Sequence, residues 1–190
     1  MSASPNSETL LSAEEFWELP EPSHGGRMEL LQGRVIEEMP VGERHAALAA
    51  ELAASLLAFV KPRRLGRVHV ELGHRLAVDP DTVRAPDVSF MSAGRLPTSS
   101  GERFVEGAPD LAIEIMSPED RESDVARKVE EYFDAGAQRV WIVRPRNRTV
   151  TVHRPGGDAH TFGRDDVLDS ADAGLSETGF RLDLPALFAE

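Results

Sequence analysis

The stretch Asp110-Leu111-Ala112-Ile113-Glu114-Ile115-Met116 places a glutamate inside a run of aliphatic residues. An ionised carboxylate in an apolar strand costs free energy unless a cation or several hydrogen-bond donors compensate it. Asp87, which precedes another largely apolar run, lies 27 positions before Glu114 (114 minus 87). Two carboxylates on strands that can pair are typical of a site for Mg²⁺ or Mn²⁺. The pair favours metal-assisted hydrolysis, most simply of a phosphodiester bond.

The residues that follow Glu114 also predict how the chain is arranged. Leu111–Met116 has the composition of a buried strand. Ser117 and Pro118 predict the start of a helix, and Gly136 predicts its end. A further strand is predicted at Arg139–Val143. A strand–helix–strand unit of this length is typical of a crossover connection, so we expect the two strands to be parallel.

The rest of the chain predicts further helices and strands. A capping box at Ser12 predicts a short helix to Leu19, and Gln32-Gly33 predicts a tight hairpin. A long helix is predicted from Glu43 to Val60, with Pro62 as its stop. Strands are expected at 28–31, 34–37, 68–72, 74–78, 88–91 and 150–153, with loops at 20–26 and 92–107.

These elements predict an α/β protein, or more fully an α+β mixed sheet flanked by helices, with an N-terminal helix and β-hairpin. We expect one domain over residues 10–190 and a disordered tail over residues 1–9. The length of 190 residues and the hydrophobic content of 41% suit a single domain with a buried core.

Composition limits the chemistry that the chain can perform. It has no cysteine, so any metal ion must be bound by oxygen or histidine ligands. The net charge of -12 argues against a protein that coats nucleic acid by charge alone. Two basic stretches, at 61–67 and 139–148, are interpreted as solvated surface.

The polar segment at residues 1–8 lacks the apolar core of a signal peptide. The longest apolar runs are shorter than a membrane span requires. We therefore expect a cytoplasmic protein that makes no membrane contact.

Several short motifs occur in an order that resembles a known family. They are Glu29-Leu-Leu-Gln-Gly33, His45, Pro86-Asp87-Val88, Glu114-Ile-Met-Ser117-Pro118, Asp124-x3-Lys128-x3-Tyr132, Gly136 and Val140-Trp141-Ile142-Val143. The set resembles the Uma-type putative restriction endonuclease family, which belongs to the PD-(D/E)XK nuclease superfamily. The resemblance covers about residues 10–154, and its specificity comes from the whole set rather than from any one motif.

The resemblance implies a restriction-endonuclease-like core with a divalent-metal site, and DNA as the partner. It implies that Glu29, Asp87 and Glu114 are the acids of the site, with Asp87 and Glu114 binding Mg²⁺ or Mn²⁺. Met116 stands where the superfamily has its lysine, two residues after the acid. Lys128 on the following helix would then supply the displaced amine and position the attacking water.

Four further residues are candidates for supporting roles. The backbone carbonyl of Ile115 is a candidate metal ligand because it adjoins Glu114. His45, Asp124 and Tyr132 are candidate substrate contacts, although the sequence favours packing as the role of Tyr132.

Each candidate acid also has a purely structural interpretation. Glu114 alternates with Ile113 and Ile115, and this pattern would place it towards solvent on an edge strand. Asp87 could begin a strand or cap a turn.

Three other charged candidates also have ordinary partners nearby. Glu29 could form a cross-strand ion pair with Arg27 or Arg34. Asp124 and Lys128 could form an ion pair between adjacent turns of a helix.

Three functions remain open at this point. The first is a metal-dependent DNA endonuclease, for which a homodimer would supply the two cuts that a duplex needs. The second is a non-catalytic nucleic-acid-binding or regulatory protein on the same fold, favoured by the net charge and by the missing lysine at position 116. The third is a metal-dependent hydrolase with a different substrate, because a fold does not fix a function.

Overall fold

The strands of this chain form three sheets in the computed structural model, which describes residues 10–97 and 103–189. The strands are β1 (Arg27–Leu31), β2 (Arg34–Glu38), β3 (Gly66–Val70), β4 (His74–Ala77), β5 (Thr82–Arg84), β6 (Val88–Ser92), β7 (Val105–Glu106), β8 (Leu111–Ile115), β9 (Arg139–Arg144), β10 (Thr149–His153), β11 (Ala159–Phe162), β12 (Val167–Asp169) and β13 (Arg181–Asp183). The helices are α1 (Ala13–Trp17), α2 (Glu43–Arg63), α3 (Glu122–Asp134) and α4 (Leu184–Leu187), with a 3₁₀ turn at Ala93–Arg95. The expected tail at 1–9 and part of the expected loop at 92–107 lie outside the described residues.

The largest sheet is mixed and has the strand order β11-β10-β9-β8-β6-β3. Within it β8 and β9 are parallel, with Glu114 opposite Ile142, and α3 makes the crossover between them. The predicted mixed sheet flanked by helices is therefore confirmed, and so is the parallel pair. A second sheet has the order β2-β1-β5-β4-β7, and β12 pairs with β13.

The two faces of the largest sheet are covered by different helices. On one face, Leu52 and Leu56 of α2 belong to a core cluster with Ile113 and Trp141. On the other face, Val129 and Tyr132 of α3 pack with Ala112, Val140 and Ile142. Because side chains alternate along a strand, Ile113 lies on the α2 side while Ala112 and Glu114 lie on the α3 side. Covering both faces is what places Glu114 inside the protein.

Three predicted helix boundaries were wrong. Helix α1 ends at Trp17 instead of Leu19, with Glu18 as its C-cap. Helix α2 continues through Pro62 to Arg63 and ends at Arg64, whose backbone is left-handed and whose N–H reaches the carbonyls of Val60 and Lys61. A proline in the last turn gives up only one backbone hydrogen bond, so the helix tolerates it there.

Helix α3 begins at Glu122 instead of Ser117. The Ser117 N–H donates to Asp120 Oδ2 over 2.6 Å, and the Asp120 N–H donates back to the Ser117 carbonyl. Asp120 thus closes a separate turn between β8 and α3, because its short side chain competes with helical backbone bonding. This turn forms part of the wall of a cleft that Glu114 also lines.

Helix α2 also differs from the expectation about membrane spans. By length and composition alone, α2 could cross a membrane. Core helices of globular proteins can have the same length and composition. The buried face of α2 lies in the principal core.

Candidate functional site

A cleft of about 790 Å³ lies where the end of β2, the start of α2 and helix α3 meet the carboxyl end of β8. Its walls carry Glu38 and Pro40 on one side and the turn at Ser117–Asp120 on the other. Glu114 and Lys128 also line it. The ends of parallel strands β8 and β9 therefore open onto this space, which is where open α/β sheets commonly bind ligands.

Glu114 lies on an interior strand and is only 7% exposed. Its Oε1 accepts a hydrogen bond of 2.6 Å from the Tyr132 hydroxyl, and its Oε2 lies 3.5 Å from Lys128 Nζ. Burial raises the pKa of Glu114 to about 7, and the neighbouring carboxylates of Asp87 and Glu29 add to this effect against the opposing charge of Lys128. Glu114 is consequently a carboxyl group that can take up or release a proton near neutral pH.

Asp87 precedes β6 and is 1% exposed. Its Oδ2 accepts the backbone N–H of Ile115 over 2.7 Å, which ties the start of β6 to the end of β8. Its Oδ1 accepts Arg27 Nη1 over 2.9 Å and lies 3.1 Å from His45 Nε2. Burial would raise the pKa of Asp87, but the hydrogen bond with His45 and the charge of Arg27 outweigh it and hold that pKa below its ordinary value.

Glu29 is fully buried on β1 and holds two cations. Its Oε2 accepts Arg84 Nη1 over 2.7 Å and lies 3.2 Å from Lys128 Nζ, while its Oε1 accepts the Ala85 N–H. Burial acts to raise the pKa of Glu29, but Lys128 and Arg84 outweigh it and lower the pKa to about 2. Glu29 is thus ionised at neutral pH and anchors Lys128 beside Glu114.

Lys128 reaches three carboxylates from its position on α3. Its Nζ lies 3.2 Å from Glu29 Oε2, 3.2 Å from Glu38 Oε1 and 3.5 Å from Glu114 Oε2. Burial would lower the pKa of Lys128, but these acids together raise it. Lys128 therefore stays protonated and can donate hydrogen bonds or stabilise negative charge, but it is not a base.

The remaining candidates take different places. Tyr132 is buried and bonded to Glu114, and His45 is bonded to Asp87. Asp124 pairs with Arg127 at 2.9 Å on the rim of the cleft instead of with Lys128. Ile115 lines the cleft beside Glu114, and its role as a carbonyl ligand stays a prediction.

Four residues of the site were not predicted from the sequence, namely Arg27, Glu38, Arg84 and Glu131. Arg84 is 2% exposed and joins Glu29 to Glu131, and Arg27 joins Glu38 to Asp87. The predicted hairpin carried a signal for one of these pairs, since its register places Arg27 opposite Glu38. Arg84 lies in β5, a strand of only three residues, which is too short to show a clear pattern in the sequence.

The charges around the cleft do not balance. Among the described residues, seven acids line the cleft against five permanent cations: Glu29, Glu37, Glu38, Glu114, Glu119, Asp120 and Asp124 against Arg27, Arg84, Arg121, Arg127 and Lys128. Within residues 10–97 and 103–189, no three His, Asp or Glu side chains are grouped so as to hold an ion by themselves. An ion held by Asp87 and Glu114 would need water and substrate phosphate to complete its coordination, as in Mg²⁺ sites with only one or two carboxylates.

A mixed-sheet α/β fold with paired buried acids at the open end of its parallel strands is that of a nuclease-like protein. The chain belongs to the Uma2 family, described as putative restriction endonuclease, whose model matches residues 13–184. The family resemblance seen in the sequence motifs is thereby confirmed.

Among solved structures, the chain is similar to a putative nuclease belonging to DUF820 from Anabaena variabilis ATCC 29413. The two share 29% sequence identity with a TM-score of 0.76, over 94% of this chain and 97% of the other. No curated protein matches the chain. The match to a solved nuclease-like fold over nearly the whole of both chains agrees with the mixed-sheet architecture described above.

Proposed function

We propose that the protein is a divalent-metal-dependent endonuclease that hydrolyses DNA phosphodiester bonds. The observation that carries the proposal is the joint placement of Asp87 and Glu114. A single hydrogen bond from the Ile115 N–H to Asp87 couples the two acids at the end of β8, and Lys128 lies 3.5 Å from Glu114 at the same place. Membership of the Uma2 family and the similarity to a putative nuclease support nucleic acid as the substrate.

In this proposal Asp87 and Glu114 hold Mg²⁺ or Mn²⁺, with the Ile115 carbonyl as a further ligand. When bound, such an ion would neutralise charge on the phosphate and make a water molecule more acidic. Lys128, which stays protonated, stabilises the charge that builds on the phosphate oxygens. Glu114 and Asp87 are fixed by donors from the scaffold, so they need little rearrangement during the reaction.

The direct test is cleavage of plasmid DNA by the purified protein with Mg²⁺ or Mn²⁺. We expect nicked or linear products that disappear in the Asp87→Asn and Glu114→Gln variants and with a chelator. Lys128→Met should lower the rate by about 10²- to 10³-fold, the usual effect of removing one charge-stabilising donor. Cleavage that survives both acid substitutions would remove the site assignment.

A second candidate function is a non-catalytic nucleic-acid-binding or regulatory protein on the same fold. The observation that favours it is that both oxygens of Asp87 already have partners, Oδ2 with the Ile115 N–H and Oδ1 with Arg27 and His45. Binding of DNA without cleavage, and without any bound Mn²⁺ by calorimetry, would support this candidate over the first.

A homodimer belongs to the proposed endonuclease because a duplex has two strands to cut. Light scattering of the purified protein tests this directly. A monomer that still nicks plasmid would restrict the proposal to single-strand cuts.

A further inference from the structure

Glu38 is placed differently from the other acids of the cleft. It is the last residue of β2, its side chain is 26% exposed, and Met39 beyond it is 73% exposed. Its Oε1 lies 3.2 Å from Lys128 Nζ, and its Oε2 accepts a hydrogen bond from Arg27 Nε. One carboxylate at the wall of the cleft therefore bridges Arg27 and Lys128, two of the cations that line it.

The three buried acids are each held by a neutral donor of the scaffold as well. The Ala85 N–H donates to Glu29, the Ile115 N–H to Asp87, and the Tyr132 hydroxyl to Glu114. Among the described residues, the side-chain contacts of Glu38 are with Arg27 and Lys128. When the side chain of Glu38 leaves this position, it therefore gives up its contacts with Arg27 and Lys128 but no hydrogen bond from a neutral donor.

The chemistry of this position is that of a phosphate site. A guanidinium and an ammonium converge on two oxygens of one anionic group, which is how arginine and lysine bind a phosphate. Arg27 and Lys128 both line the cleft, so an anion entering it from solvent can reach them. A phosphodiester presents two anionic non-bridging oxygens, as a carboxylate does, and it brings its own charge to replace the one that leaves.

We infer that Arg27 and Lys128 form a binding position for a backbone phosphate of the nucleic acid, and that Glu38 occupies this position until the substrate displaces it. The identity of the ligand as nucleic acid rests on the proposed function. The occupation of an anion site by Glu38 rests on the contacts of Glu38 alone. Glu38 would then act as an internal competitor that weakens non-specific binding to polyanions.

Glu38→Gln is the variant that tests this inference, and Glu37→Gln is its matched control. Glu37 is the neighbouring residue, lines the same cleft and changes the net charge equally, but it pairs with His24 instead of with Arg27 or Lys128. Binding is measured by fluorescence anisotropy with a short fluorescein-labelled single-stranded oligodeoxynucleotide. A chelator is present throughout, so that no cleavage occurs.

We expect Glu38→Gln to bind the oligonucleotide about tenfold more tightly than the wild type, because the competing charge is gone. Glu37→Gln should change affinity by less than about twofold, because exposed charges contribute little through solvent. Adding Arg27→Met to Glu38→Gln should abolish the gain. In Glu38→Asp the side chain is one methylene shorter, so its carboxylate should not reach both cations. This variant should therefore also bind more tightly than the wild type.

Equal effects of Glu38→Gln and Glu37→Gln would overturn the inference, since net charge alone would then explain the change. An unchanged affinity in Glu38→Gln and Glu38→Asp, both shown to be folded by circular dichroism, would overturn it too. The plasmid assay keeps this separate from the proposed function. If the wild type cleaves plasmid but the Glu38 variants bind no more tightly, the proposed endonuclease is supported and the phosphate position is not. If the Glu38 variants bind more tightly but no cleavage occurs, the phosphate position is supported and the endonuclease is not.

Discussion

The hydroxyl of Tyr132 donates to Glu114 Oε1 over 2.6 Å, and both side chains are buried. Burial and the nearby Glu114 raise the pKa of Tyr132 well above its ordinary value, so the phenol stays a neutral donor. The bond joins α3 to β8 at the floor of the cleft. It fixes which oxygen of Glu114 is left for other partners, namely Oε2, which faces Lys128.

Tyr132→Phe should therefore affect stability through Glu114. The substitution keeps the ring in the α3 core and removes only the donor, which leaves a buried carboxyl group with one hydrogen bond fewer. We expect a loss of roughly 1–3 kcal/mol in the free energy of unfolding, measured by urea denaturation.

The control for this prediction is the same substitution in a Glu114→Gln background. A hydrogen bond to a neutral amide oxygen is weaker than one to a carboxylate, so the loss should shrink to about 1 kcal/mol or less. An equal loss in both backgrounds would mean that Tyr132 acts through packing alone.

Arg84 should be among the residues on which stability depends most. It is 2% exposed and donates to Glu29 through Nη1 and to Glu131 through Nε, each over 2.7 Å. Arg84→Met leaves the carboxylate of Glu29 buried with one cation fewer. We expect a loss of about 3–5 kcal/mol, the range for breaking a buried ion pair by removing one partner.

Arg181→Met provides the comparison, because Arg181 is 67% exposed and its nearest acid, Asp183, lies 3.6 Å away. Its effect should stay within about 0.5 kcal/mol. If both substitutions cost the same small amount in guanidinium denaturation, the buried network does not stabilise the fold as described.

The sequence predicted the parts of the fold that depend on local pattern. The crossover between β8 and β9 followed from the length of one strand–helix–strand unit, and the structure has it. The direction of Glu114 did not follow, because alternation shows that Ile113 and Ile115 share a face but not whether the opposite face is covered. Helix α3 covers that face, and this is a tertiary fact.

The partners of the charged residues also depend on tertiary contacts, so the sequence did not predict them. Asp124 was available to Lys128 one helical turn away, yet Lys128 reaches Glu29, Glu38 and Glu114. Attraction between charges is stronger at a partly buried site than on a solvated helix face, so the distant acids are preferred. No local pattern indicates that preference, and only the resemblance to a family predicts that Lys128 belongs to the site.

Two buried glutamates should respond to pH in opposite ways. The pKa of Glu114 is raised from 4.5 to about 7 on folding, so between these values the folded chain binds more protons than the unfolded chain. Stability contributed by Glu114 is therefore present below pH 4.5 and is lost as the pH rises through 7. Glu114→Gln should be more stable than the metal-free wild type at about pH 8, by up to roughly 3 kcal/mol, and nearly equal to it at about pH 4.

Glu29→Gln should behave in the opposite sense. The pKa of Glu29 is lowered from 4.5 to about 2, so its contribution is present above pH 4.5 and is lost as the pH falls through 2. The Gln variant should then be less stable than the wild type at neutral pH, and the difference should close in acid. Denaturation curves with a chelator across this pH range check both signs, and parallel profiles for the two variants would contradict the assignment.

Divalent metal should stabilise the wild type through Asp87 and Glu114. A ligand that binds only the folded state at a hundred times its dissociation constant adds about 2.7 kcal/mol, so Mn²⁺ should raise the melting temperature in scanning calorimetry. Asp87→Asn and Glu114→Gln should remove this rise.

Asp110→Asn is the control for the metal prediction. Asp110 is also a buried acid at the β6–β8 pair, but it accepts hydrogen bonds from Arg95 and the Ser92 N–H, away from the cleft. A rise that persists in both site variants, or that vanishes equally in Asp110→Asn, would show that the ion binds elsewhere or that the variants act through general destabilisation.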